Sequence, residues 1–162
     1  MAYTFRWTHG VVSALAFSAL GAATPAMAQS DLSGLAGSWS GGGQVRLADG
    51  RSERLSCRAF YTARDGGAGL RLAIRCASQS YKIDLRSSLV VAGGRVNGSW
   101  EERSFNAGGG LSGTASSGSL RLSFSGSTDG SMSVSYGGSN QQVSIKVSAG
   151  EPTTVSLSFK RL

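Results

Sequence analysis

From residue 119 to the C-terminus the chain repeats one pattern: apolar and polar residues alternate strictly, broken mostly by glycine-bearing stretches. "SLRLSFS" sets Leu120, Leu122 and Phe124 between polar neighbours, and "SMSVSY" does the same with Met132, Val134 and Tyr136. "QQVSIKVS" carries Val143, Ile145 and Val147 in step, and "TTVSLSF" carries Val155, Leu157 and Phe159. Successive side chains of a strand point to opposite faces, so this period describes strands with one apolar face and one polar face. It allows no helix of useful length.

The same reading extends upstream and gives ten strands near 37–48, 52–63, 70–77, 80–91, 95–105, 111–117, 119–126, 131–137, 141–148 and 153–161. The breaks "ADGR", "RDGGAG", "SQ", "GG", "NAGGG", "TDG", "GGSN" and "GEP" are tight-turn chemistry, which makes the chain an antiparallel up-and-down meander. A meander with one apolar face must hide that face, and closure also removes the exposed edges. A closed barrel is therefore expected, with a two-sheet sandwich as the alternative. Composition alone points elsewhere: after residue 28 the chain holds 22 Gly and 27 Ser, a bias seen in flexible linkers. The alternation overrules it.

Residues 1–28 read as a signal peptide. Arg6 precedes the 13-residue apolar run "VVSALAFSALGAA", and "TPAMA" ends in Ala26 and Ala28, an A-x-A cleavage pattern before Gln29. The run is too short for a membrane-spanning helix, which takes about 20 residues. The expectation is a periplasmic or secreted mature chain, a single β-barrel domain over 29–162. Its 134 residues carry 15 Lys+Arg, since Arg6 leaves with the leader, against 9 Asp+Glu, a net +6.

Removing the leader also removes the one histidine, His9. Imidazole is then absent from any catalytic or metal site, and two cysteines alone do not make a tetrahedral zinc site. No G-x-S-x-G elbow, P-loop or strand-to-helix G-x-G-x-x-G is present. Glu101 and Glu102 in "WEE" fall on opposite faces of a strand and are poorly placed to share a site. The sequence predicts no enzyme, no metal and no cofactor.

The two cysteines flank the "RDGGAG" turn. With its centre between Gly66 and Gly67, cross-strand partners sum to 133, as Cys57 and Cys76 do, so the two face each other at disulfide distance. An exported protein permits the bond. A redox pair is the alternative, but that chemistry usually takes C-x-x-C or an electropositive helix end. The same register puts Ala59 with Ile74, Tyr61 with Leu72 and Ala63 with Leu70 on the core face. On the other face Arg58 meets Arg75 and Thr62 meets Arg71. If Ser78–Gln79 form the next turn, Arg75 faces Lys82 and Arg71 faces Arg86. The outcome is a basic face of Arg54, Arg58, Arg71, Arg75, Lys82 and Arg86 (with Arg64 beside them) around an exposed Phe60. Its partner would be an anionic envelope component, such as lipid headgroups or lipopolysaccharide phosphates, or an acidic protein; a plain solubilising surface eased by Asp84 and Glu53 is the alternative. Export and the lack of interleaved aromatics argue against nucleic acid, and no basic amphipathic helix exists to enter a bilayer. The sequence carries no signal for an oligomeric state.

"LAGSWSGG" places Gly37-Ser38-Trp39 at the start of the first strand, and Arg161 closes the last. This resembles the calycin, or lipocalin-like, pattern, and the chain also looks like small exported alphaproteobacterial proteins of unknown function. The calycin resemblance implies that Trp39 closes one barrel end with Arg161 packed over it, and that a lipid or other amphiphile binds inside. Gly98-Ser99-Trp100 repeats the motif mid-chain. Candidate cavity residues are Trp39, Tyr61, Leu72, Ile83, Trp100, Leu122, Tyr136, Val143 and Leu157, which would equally serve as a filled core. Two other classes stay open: an envelope interaction or inhibitor-type protein using the basic exterior, and, ranked last, an outer-membrane barrel with its apolar face outward.

Overall fold

The protein was analysed as a computed structural model, which describes residues 32–150 and 152–162; the leader and the cleavage site near Ala28 lie outside them. Ten antiparallel strands follow in order: β1 (Gly37–Arg46), β2 (Ser52–Arg64), β3 (Gly69–Ala77), β4 (Lys82–Ala92), β5 (Arg95–Glu102), β6 (Ala107–Ser116), β7 (Ser119–Gly126), β8 (Gly130–Gly137), β9 (Asn140–Val147) and β10 (Thr154–Arg161). Each pairs with its neighbours in sequence, and β10 returns to β1, closing the barrel rather than forming a two-sheet sandwich. A 3-10 turn, Leu32–Leu35, precedes β1.

The alternating face decides inside from outside. Leu120, Leu122, Val134, Val143, Val155, Leu157 and Phe159 are buried, whereas the serines between them on β7, β8 and β10 are mostly exposed. An outer-membrane barrel needs the reverse, so that alternative is overturned. Turn chemistry closes the hairpins as the sequence suggests: Gly93 and Gly94 form a two-residue turn with φ of 55° and 75°, both in the region a type I′ turn requires.

Strand ends differ from expectation mainly around "NAGGG". The strand expected to run to 105 ends at Glu102, and β6 begins at Ala107 instead of 111. Gly108, Gly109 and Gly110 are ladder residues, opposite Glu101, Trp100 and Ser99. Glycine reads as turn from composition, but here it makes room. An ideal Cβ on Gly109 would stand 1.8 Å from the Ser125 carbonyl oxygen, the same atom that accepts from the Trp100 indole Nε1 at 3.3 Å.

The β2–β3 register matches the expected one: Cys57 lies opposite Cys76, Arg58 opposite Arg75, Tyr61 opposite Leu72. The cysteines are bonded, with Cα atoms 4.1 Å apart. The β3–β4 register is corrected by two residues. Arg75 faces Asp84, not Lys82; Arg71 faces Ser88, not Arg86; Lys82 and Arg86 stand opposite Ala77 and Ala73. The turn is not centred on Ser78–Gln79, because Ser78 N donates to Tyr81 O and two serines, Ser78 and Ser80, donate to the Glu53 carboxylate. A four-residue loop replaces the two-residue one.

Candidate functional site

The barrel has two unlike ends. At the first, Leu32 and Leu35 are fully buried and the 3-10 turn packs over β2, β3 and β8. Trp39 is fully buried beneath it, its Nε1 donating to Leu35 O at 2.9 Å. The Arg161 guanidinium lies 4.3 Å from the Trp39 ring centroid and donates to the carbonyls of Ala36 and Gly34. Cation–π attraction and charge-assisted hydrogen bonds thus hold the plug on the last strand. Tyr61 packs edge-on to Trp39, 6.4 Å between centroids, and accepts from Gln141 Nε2 at 2.6 Å. Burial pushes the Tyr61 hydroxyl up to about 12, against the lesser opposite pull of that hydrogen bond.

Towards the second end the side chains stop meeting. They leave a cavity of about 370 Å³ bounded by Leu72, Ile83, Trp100, Leu122 and Leu157 of the sequence-predicted set. Volumes of this order are typical of small-molecule sites. Trp39, Tyr61, Tyr136 and Val143 of that set are elsewhere: Trp39 and Tyr61 belong to the plugged end, the Tyr136 ring lies under Gly34, and Val143 is buried in the packed half. The interior is thus both a filled core and a cavity, divided along the barrel axis. Cys76 also lines the cavity, so one end of the disulfide borders it.

Missed lining residues fall into two groups. Leu85, Phe124, Met132 and Ile145 share the inward face that alternation already marks. Tyr81 and Phe105 fall at the ends of the expected strands 80–91 and 95–105 but stand in the β3–β4 and β5–β6 loops. Tyr81 keeps the phase of Ile83 and Leu85, Phe105 is out of phase with Trp100, and their rings are 6.2 Å apart at the open end. The polar lining is sparse: Ser87, Glu102, Ser127 and Thr128. Glu102 accepts from the backbone N–H of Asp84 at 2.6 Å and of Phe105 at 2.7 Å. Its neighbour Glu101 faces outward opposite Arg86, so the two carboxylates do diverge as the strand period requires. Among the described residues no three His, Cys, Asp or Glu side chains gather where a metal ion could be held.

On the exterior Arg58 and Arg75 face each other, and Phe60 is 43% exposed beside them. Arg54 and Arg71 are exposed on the same face. The row is not purely basic. Asp84 pairs with Arg75 at 3.7 Å and Arg86 at 3.1 Å. The Arg86 hydrogen bond, with lesser help from the charges of Arg86, Arg75 and Arg103, holds the Asp84 carboxyl below its ordinary 3.8.

Fold and interior together define a class: a closed up-and-down barrel of ten antiparallel strands, plugged at one end and hollow and apolar at the other. Among solved structures the chain is similar to an S-type phycobiliprotein lyase of Guillardia theta, with a TM-score of 0.56 and 12% identity over 81% of this chain and 90% of that one. At that identity the likeness is one of fold. No family model and no curated protein matches the sequence.

Proposed function

We propose that the protein is an exported, calycin-like barrel that binds a hydrophobic or amphiphilic molecule, such as a lipid, in its interior and does no chemistry on it. The observation that carries this reading is the 370 Å³ apolar cavity in an otherwise packed barrel. Closing one end with Trp39, Arg161 and the Leu32–Leu35 turn leaves the aromatic-edged end at Tyr81 and Phe105 as the way in. Export is supported by the signal-peptide pattern of residues 1–28 and by the Cys57–Cys76 disulfide, a bond that persists in oxidising compartments. Among the described residues no helix is long and apolar enough to cross a membrane.

The test is native mass spectrometry of the protein recovered from the periplasm, paired with titration of the neutral fluorescent probe N-phenyl-1-naphthylamine. A co-purifying amphiphile or saturable probe binding, lost in Leu72→Trp, is the expected result. Absence of both would sink the reading. A second reading, an envelope interaction or inhibitor-type protein, draws on the exposed Phe60 beside the facing Arg58 and Arg75. Its test is pull-down from envelope extract with wild type and an Arg58→Glu/Arg75→Glu variant; identical recovery from both removes its support.

A further inference from the structure

The cavity's one charged lining residue, among those described, is an acid, although the chain as a whole is basic. Glu102 is half-buried on the inward face of β5, two residues after Trp100, so the two residues follow each other along one strand face with a backbone spacing of about 7 Å. Phe105 and Tyr81 complete the surroundings at the open end, and the Phe105 N–H fixes one carboxylate oxygen. No Lys or Arg pairs with Glu102 among the described residues. The adjacent Arg103 is one of the cations whose charge is felt at Asp84. The two backbone N–H groups occupy only part of the carboxylate's roughly four acceptor positions.

A carboxylate among aromatic rings, at the open end of an apolar chamber, is the chemistry that recognises a cation carried on an apolar body. The carboxylate supplies charge, and the ring faces add cation–π attraction. It repels a second carboxylate. Resting on the cavity reading above, we propose that the preferred ligand is a cationic amphiphile: an apolar chain lodged among Leu72, Ile83, Leu122 and Leu157, with an ammonium held by Glu102 near Trp100 and Phe105.

The experiment displaces N-phenyl-1-naphthylamine from the full mature protein at pH 7 with three twelve-carbon competitors: dodecylamine, dodecanol and dodecanoate, each below its micellar concentration. The expected order is dodecylamine, then dodecanol, then dodecanoate, with at least tenfold between the first and last. Glu102→Gln should collapse that gap. Glu102→Asp, which keeps the charge, should retain it, and so should Glu101→Gln, which removes an equal charge from the exterior. Thermal melts of all three report whether they fold, and the wild-type order decides the proposal even if one variant does not. Probe binding with dodecanoate equal to or better than dodecylamine overturns the cation preference while leaving the cavity reading intact. Failure of the probe and all three competitors to bind overturns both.

Discussion

Removing the disulfide gives the sharpest account of what holds the hollow half of the barrel. Cys57 and Cys76 are 19 residues apart, and a loop of that size confers about 3 kcal/mol by constraining the unfolded chain, a model-dependent figure. The pair is 3% and 6% exposed, so Cys57→Ala/Cys76→Ala also removes packed atoms, and a total loss of roughly 2–5 kcal/mol is expected. At about 4 °C per kcal/mol for a domain of this size, the melting temperature should fall by roughly 8–20 °C. The assay is a thermal melt of wild type and variant with and without reductant. Wild type in reductant should approach the variant, and the variant should ignore reductant. Because Cys76 lines the cavity, probe affinity should shift in the variant even far below its melting point. Two titratable thiols in the folded wild type, or a variant that melts unchanged, would refute the reasoning. The β2–β3 register would fall with it, since the same turn at Gly66–Gly67 sets both.

Arg161→Ala should cost about 2–4 kcal/mol, from a partly desolvated cation–π contact and two charge-assisted hydrogen bonds, and should red-shift Trp39 emission in a Trp100→Phe background; unchanged emission counts against the plug. Gly109→Val should cost roughly 3 kcal/mol or more, because its Cβ meets the Ser125 carbonyl, while Gly110→Ala on the outer face should stay within about 0.5 kcal/mol by urea melt. Tyr61 titrates near 10 when unfolded and about 12 when folded, so the unfolded state loses its proton first as pH rises. Stability is therefore full below pH 10 and falls between about pH 10 and 12, by roughly 2–3 kcal/mol; Tyr61→Phe should flatten that limb, and an unaltered limb would show that Tyr61 is not its source. Asp84 is depressed, so its contribution is present above its unfolded value near 3.8 and is lost as pH falls below it; Asp84→Asn should shallow the acid limb of a stability–pH curve.

Alternation read from sequence recovered the strands well because every inward position is tied to its neighbours two residues away. Leu120, Leu122 and Phe124 cannot move to the outer face without exposing all three. Hairpin register was legible where glycines mark the turn centre, at Gly66–Gly67, and not at β3–β4, where a connection of the same four-residue length is centred on Gln79–Ser80 with no glycine to mark it. The cavity was half legible for a different reason. Parity says that Tyr61 and Leu72 both point inward, but not that Tyr61 lies under a plug while Leu72 borders a void. That division depends on Leu32 and Leu35, which carry no strand period, and on loop residues Tyr81 and Phe105. Nor does a run such as Gly108–Gly110 announce itself as strand, since it has no side chains to alternate.

The two-residue shift between the expected and observed β3–β4 registers changes which charges meet on the exterior. A shift of two leaves every side chain on its own face, so the apolar pattern cannot detect it. What changes is which charges meet across the ladder. In the expected register Arg75 faces Lys82 and Arg71 faces Arg86, two like-charge pairs that destabilise a sheet. In the observed one Arg75 faces Asp84 and Arg86 faces Glu101, with Asp84 bonded to both arginines. Charge pairing was thus the information that discriminates between registers with identical apolar faces. The basic exterior loses much of its pull on an anionic partner once Asp84 and Glu101 are interleaved with it. Among the described residues lining the cavity Glu102 is the one charged group and has no ion-pair partner, so the observed register weakens the exterior alternative and leaves the interior reading the stronger of the two.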